Sequence, residues 1–321
     1  MKLTDFEGKI VSHLKSENEQ VHYISLLYSI LNNCSVEDRY FKIHKRVIDS
    51  IELLKASTLI IDDIIDETEE RDNSDSFVSQ YGLNNSILVG EMLKSHSTIS
   101  FIESINGLPI SNESKINCIL LFEDSYRTVL NGQFEDINYL YFKPEMENWD
   151  TKQWDIYFEK YLYIIYSTTS IFLQIPFWVN NQIGNIIPND LEYYKVFFRL
   201  MGLAYQLRDD LIDSIGSPEE SGKAIGGDIL ERKVRLPLIA FFKNSSNLEL
   251  KSKVLGTLKS QQPISANQAV EIINILYQEK SVDQSIIYLN SVCDNAIISI
   301  NKIQNEEHKN DLINIAEFLK F

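Results

Sequence analysis

Residues 51–66 read IELLKASTLIIDDIID, and the reading of this stretch decides the fold. Glu52, Leu53, Leu54 and Lys55 are good helix formers. The apolar run that follows would be an ordinary buried helix but for Asp62, Asp63 and Asp66 inside it. Asp62 and Asp66 are four residues apart, so on a helix both carboxylates leave one face, a turn apart. Like charges at that spacing repel, and no Lys or Arg stands among them. A cation has to be supplied from outside.

The same spacing returns 147 residues later in GLAYQLRDDLID (residues 202–213), with Asp209, Asp210 and Asp213 again inside an apolar helical run. One such motif is compatible with a solvated acidic turn; two argue for a shared task. Two acidic helices facing one another make an oxygen-rich cleft. Hard divalent cations suit such ligands, and Mg²⁺ binds one or two carboxylates together with substrate phosphates. Just beyond, residues 222–237 read GKAIGGDILERKVRLP, where Lys223 and Lys233 in or beside a Gly-containing loop can hold phosphate oxygens as point charges.

The rest of the chain narrows the choice of architecture. Gly and Pro together make up 19 of 321 residues, about half their usual share, which speaks against many short strands and for long helices. Apolar Ala269, Ile272, Ile273 and Leu276 sit at i, i+3, i+4 and i+7, one face of a helix. Breaks fall near residues 106–109, 143–144, 180–189, 214–227, 243–247 and 261–263, with no repeat or composition shift between them. The expectation is a single all-α domain over residues 1–321, a bundle of ten or more helices.

Composition removes several function classes. Lys and Arg number 30 against 46 Asp and Glu, a net charge of −16, so the basic footprint of a nucleic-acid surface is missing. Cys34, Cys118 and Cys293 are odd in number and far apart, which fits a reducing cytoplasm and no zinc site. The start, MKLTDFEGKI, has no apolar run of a leader. Residues 161–179 carry no charge, but Ser167, Thr168, Thr169, Ser170, Gln174 and Pro176 make them too polar for a comfortable membrane span. A buried bundle helix is expected there.

In IELLKASTLIIDDIID, GQFEDI (132–137), GLAYQLRDDLID and GKAIGGDILERKVRLP, taken in that order, the chain resembles the trans-isoprenyl diphosphate synthase (polyprenyl synthetase) family. The resemblance implies an all-α bundle, usually a homodimer, in which three Mg²⁺ ions clamp an allylic prenyl diphosphate of 10–20 carbons. It places Asp62, Asp63, Asp66, Asp209, Asp210 and Asp213 on the metal. Asp62, Asp66, Asp209 and Lys223 would carry catalysis, with Lys223, Lys233 and Gln133 or Gln206 on the diphosphate or lining the cleft. Small Ser57 and Thr58, upstream of Asp62, would leave room for a longer prenyl tail.

Departures from the family pattern concern the second substrate. The basic segment that grips isopentenyl diphosphate should fall near residues 18–28, which read NEQVHYISLLY and hold no Lys or Arg. Of the paired arginines after the first motif, Arg71 is kept but Asp72 replaces the second, and would repel a diphosphate. The family's Lys-Thr pair becomes Ser167-Thr168, which loses the lysine and keeps Thr168 as the hydroxyl expected on the substrate, and a frequent His becomes Lys55. Each lost charge-assisted contact is worth roughly 1.5–3 kcal/mol. The expected activity is therefore Mg²⁺-dependent transfer of a prenyl group to an acceptor other than isopentenyl diphosphate. The alternatives are a class I terpene synthase, a chain-elongating synthase, and a non-catalytic synthase subunit.

Overall fold

The computed structural model describes residues 27, 31, 41–71, 74–215 and 226–321. The upstream segment 18–28 (apart from Leu27), Asp72 and Lys223 therefore lie outside the described residues, and Arg71 is described through its backbone alone. As expected, the architecture is all-α; beside the helices there is a two-residue hairpin, β1 (Glu70–Arg71) with β2 (Ser74–Asp75), antiparallel and paired Glu70↔Asp75. The described chain falls into two compact units.

The first unit holds α1 (Phe41–Ile65), α2 (Phe77–Tyr81), α3 (Leu83–Gly107) and the first half of α4 (Asn112–Tyr139). Val47, Ile51 and Leu54, at i, i+4 and i+7 of α1, are fully buried; Ile60 joins Val89 and Leu93 of α3 and Phe77 of α2 in one core cluster. Gly90 lets the helices close up, since a Cβ there would come within 2.9 Å of the Ile61 side chain. Lys55 is buried, its ammonium 5.0 Å from the centre of the Phe172 ring.

This unit also contains a buried polar pair. The Tyr194 hydroxyl lies 2.8 Å from Nδ1 of His308, whose Nε2 is buried without a hydrogen-bond partner. Burial holds the His308 pKa below its ordinary 6.5. The unfolded chain therefore takes up a proton first as pH falls below about 6.5, and the stability present above that pH is lost on the way down. For one proton the slope is at most about 1.4 kcal/mol per pH unit. Urea unfolding between pH 7 and 5 is expected to show this decline and His308→Gln to flatten it; an unchanged slope in the variant would refute the assignment.

The second unit is built on the second half of α4, α5 (Thr151–Ile165), α7 (Leu191–Ile215, from Val196 onward) and the C-terminal helices α8 (Gly227–Leu230), α9 (Leu236–Asn244), α10 (Leu248–Lys259), α11 (Ala266–Gln278) and α12 (Ser281–Ile300); the tail of α13 (Glu306–Leu319) returns to it. Asp150 and Gln153 form a capping box on α5, and Trp154 stacks on Phe242 of α9 at 5.0 Å. The periodic face of α11 is buried at Ala269, Ile272, Ile273 and Leu276, as its spacing predicts.

Between α5 and α6 (Ile171–Gln182) the helix makes one π turn, Tyr166–Ser170, and Pro176 is accommodated within α6. The stretch 151–182 is long and apolar enough to cross a membrane, but 67% of its most apolar window is buried inside the protein. Its place is that of a core helix. Two glycines pack on the π turn: a Cβ on Gly132 of α4 would lie 2.7 Å from the Ser167 Cβ, and one on Gly202 of α7 would lie 2.4 Å from the Ser170 Cα.

Candidate functional site

The first aspartate motif ends α1 in the first unit; the second ends α7 in the second unit. Both therefore stand at helix C-termini, where the backbone dipole is itself negative, and neither helix has a basic residue in its last turn. Carboxylates repelled by each other and by the helix end gain most from an added cation.

At the end of α1, Glu67 adopts a left-handed φ of 52°. Around it the Asp66 amide donates to the Asp62 carbonyl (2.9 Å) and the Thr68 amide to the Asp63 carbonyl (3.0 Å), which closes the helix. Asp62 and Asp66 are half-buried, whereas Asp63 is buried. The second motif repeats the division: Asp209 is exposed and Asp213 half-buried, whereas Asp210 is buried. Helical geometry explains it, since residues i and i+4 share a face and residue i+1 is turned about 100° away.

Asp210 is turned into a polar network of its own unit. Its Oδ2 accepts from the Tyr161 hydroxyl (2.5 Å) and its Oδ1 from Nε2 of Gln206 (2.8 Å), while the Thr169 hydroxyl donates to Oε1 of Gln206 (2.6 Å). Nε2 of Gln206 also reaches Oδ2 of Asp209 at 3.2 Å. Beside this chain Arg235 points to Asp136 of α4 (3.3 Å) and to Asp228 (3.8 Å). Burial pushes the Asp228 carboxyl well above the ordinary carboxylate range against the pull of Arg235, and pushes Asp210 up against the same pull. Burial would lower the Arg235 pKa, but Asp136, Asp210 and Asp228 outweigh it and raise it, so the guanidinium stays charged.

The other residues expected from sequence are placed as follows. The Thr168 hydroxyl returns to the Ile164 carbonyl (3.0 Å), leaving its neighbour Thr169 to meet Gln206. Lys233 is buried, with its ammonium 2.7 Å from Glu231. Ser57 and Thr58 donate to the carbonyls of Leu54 and Lys55 in their own helix. Gln133 is half-buried on α4. Sequence reasoning missed Tyr161, Thr169, Asp136, Asp228 and Arg235. Asp136, Asp228 and Arg235 all stood inside the quoted motifs, Arg235 two residues beyond Lys233.

Each motif offers carboxylate oxygens, the donors that suit a hard divalent cation. Among the described residues no three or more His, Cys, Asp or Glu side chains are gathered closely enough to hold a metal. A cation here would complete its shell with water and phosphate oxygens, as Mg²⁺ ordinarily does.

A family model for polyprenyl synthetase matches residues 22–275. The short chain isoprenyl diphosphate synthases of Methanothermobacter thermautotrophicus and Methanocaldococcus jannaschii are each 26% identical to the chain, over 70% and 71% of its length. The match spans under two thirds of those relatives, 63% and 64% of their lengths. The geranylgeranyl diphosphate synthase of Sulfolobus acidocaldarius is 26% identical over 80% of the chain and 73% of that protein. In fold, the chain is similar to a polyprenyl synthase from Caulobacter crescentus solved with calcium and isoprenyl diphosphate. That likeness has a TM-score of 0.78 at 17% identity, over 99% of this chain and 90% of the other.

Proposed function

Because the chain belongs to the polyprenyl synthetase family, we propose that it is a Mg²⁺-dependent prenyltransferase acting on an allylic prenyl diphosphate. The observation that carries this reading is the pair of aspartate motifs, each ending a helix without a basic residue in its last turn. Bound Mg²⁺ would supply the positive charge that lets diphosphate leave. Asp62 with Asp66, and Asp209 with Asp213, would each hold metal, and Lys223 and Lys233 would orient the phosphates. The allylic C–O bond breaks, the acceptor's electron pair closes on the carbocation, and the proton passes to the departing diphosphate.

The acceptor in this reading is not isopentenyl diphosphate, which is supported by the absence of Lys and Arg from residues 18–28 and by Asp72. A second reading, elongation onto isopentenyl diphosphate, is favoured by the names of the relatives. A homodimer is supported by the exposed apolar side chains Ile116, Leu120, Leu130 and Phe134 along α4.

Incubation with Mg²⁺ and geranyl, farnesyl or geranylgeranyl diphosphate, with and without isopentenyl diphosphate, separates these readings. The expected result is Mg²⁺-dependent diphosphate release that isopentenyl diphosphate does not accelerate. Elongated diphosphates formed with isopentenyl diphosphate would establish the second reading. A terpene hydrocarbon formed without any acceptor would point to cyclisation, and no diphosphate release with any donor would refute both readings.

A further inference from the structure

Just beyond α8 the backbone turns left-handed at Arg232, where φ is 60°. The amides around it define the turn. The Arg232 N–H donates to the Ile229 carbonyl (3.0 Å) and the Lys233 N–H to the Asp228 carbonyl (2.8 Å), the paired closure of a Schellman motif with Arg232 at its left-handed position. Glycine is the usual residue there, because a Cβ meets the following carbonyl oxygen in this conformation. An arginine at that position has to be held.

Its own side chain holds it. Nε donates to the Leu258 carbonyl (3.3 Å), and Nη2 to the carbonyls of Ser260 (2.9 Å) and Gln262 (2.6 Å). These acceptors belong to the last turn of α10 and the segment after it, where helix carbonyls lack partners and the backbone dipole is negative. A planar guanidinium bonded to carbonyls at three points keeps a single orientation.

Lys233 is the residue that this turn aims. The chain next pairs with the segment after α4: the Phe142 amide donates to the Arg232 carbonyl (2.8 Å) and the Val234 amide to the Leu140 carbonyl (2.7 Å), which sets Lys233 opposite Tyr141. Lys233 is buried, its ammonium 2.7 Å from Glu231 and 5.7 Å from the centre of the Tyr141 ring. A right-handed φ at Arg232 would break the Schellman bonds and redirect Lys233.

We propose that Arg232 is a positioning residue: its bonds to the end of α10 hold the left-handed turn that directs the Lys233 ammonium, and through that ammonium the diphosphate. Only the last link rests on the prenyl diphosphate reading above.

The test is acylation of the full chain by an amine-reactive ester, followed at each lysine by mass spectrometry. Lys55, buried in the first unit, reports general opening. Arg232→Ala loses the anchor yet still needs the left-handed φ, and Lys233 is expected to react about tenfold faster. Arg232→Gly loses the same bonds but adopts the turn without strain, so its Lys233 is expected to react within about twofold of the wild-type rate. A merely structural anchor would move both variants together. Equal acceleration in the two, or none in either, would overturn the proposal, as would a parallel rise at Lys55.

Should Arg232→Ala fail to fold, Arg232→Gly decides alone: protection of Lys233 supports the proposal, and acceleration by about tenfold overturns it. Saturating Mg²⁺ with inorganic diphosphate is expected to slow Lys233 acylation in the wild-type chain by a further tenfold, roughly. If it does not, the assignment of Lys233 to the diphosphate falls, while the comparison of alanine with glycine still decides what Arg232 does.

Discussion

Replacing Asp62 or Asp209 by alanine is expected to reduce Mg²⁺-dependent diphosphate release from an allylic donor by about a thousandfold, a loss of the size seen when a group that stabilises developing charge is removed. Folding should survive. Asp209 is exposed and Asp62 half-buried, both at the negative end of a helix, so removing either charge relieves repulsion from its i+4 partner and from the helix dipole. The check is diphosphate release measured beside the circular dichroism spectrum and the melting temperature. Activity retained in either variant, with the helical spectrum intact, would refute the metal assignment.

Gly202→Ala is expected to be among the most destabilising single-methyl changes in the protein. Two effects oppose each other. Alanine favours a helix over glycine by up to about 1 kcal/mol. Its Cβ, however, would lie 2.4 Å from the Ser170 Cα and 2.5 Å from the Ser170 Cβ. The obstacle includes backbone, so no flexible side chain can swing away, and α7 has to move off the π turn at a cost of about 3 kcal/mol. Overpacking wins, leaving a net loss of about 2 kcal/mol and a Tm lower by about 3 °C. Gln206 lies one turn beyond Gly202, so the Thr169–Gln206–Asp210 chain should loosen as well. A melting temperature within about 1 °C of wild type would refute the close approach.

Much of the helix layout was readable from local chemistry. The breaks near residues 106–109, 143–144 and 243–247 coincide with the end of α3, the 3₁₀ turn Pro144–Asn148 and the α9–α10 connection. The buried face of α11 follows its 3.6-residue period. The two aspartate motifs stood out because acidic residues inside apolar helical runs need a reason. Arg235 gave no such signal: it is one of three cations within four residues of a loop, and such an arginine reads as a surface residue until buried Asp136 and Asp228 are seen beside it.

The π turn marks the boundary between the two kinds of information. From sequence, Thr168 was the hydroxyl expected at the site. In the structure it bonds back to Ile164 and Thr169 meets Gln206. One extra residue in a helical turn shifts the phase of everything around it, and no pattern in YSTTS announces it. Sequence alone determined the all-α class, the positions of the acidic turns and the sharing of one helix face by Asp62 with Asp66 and by Asp209 with Asp213, because these follow from the period of the helix. Which carboxylates turn inward to protein donors, and which cation meets them, was decided by tertiary packing, because Tyr161, Gln206 and Arg235 lie up to 74 residues apart and are brought to Asp210 only when the helices close on one another.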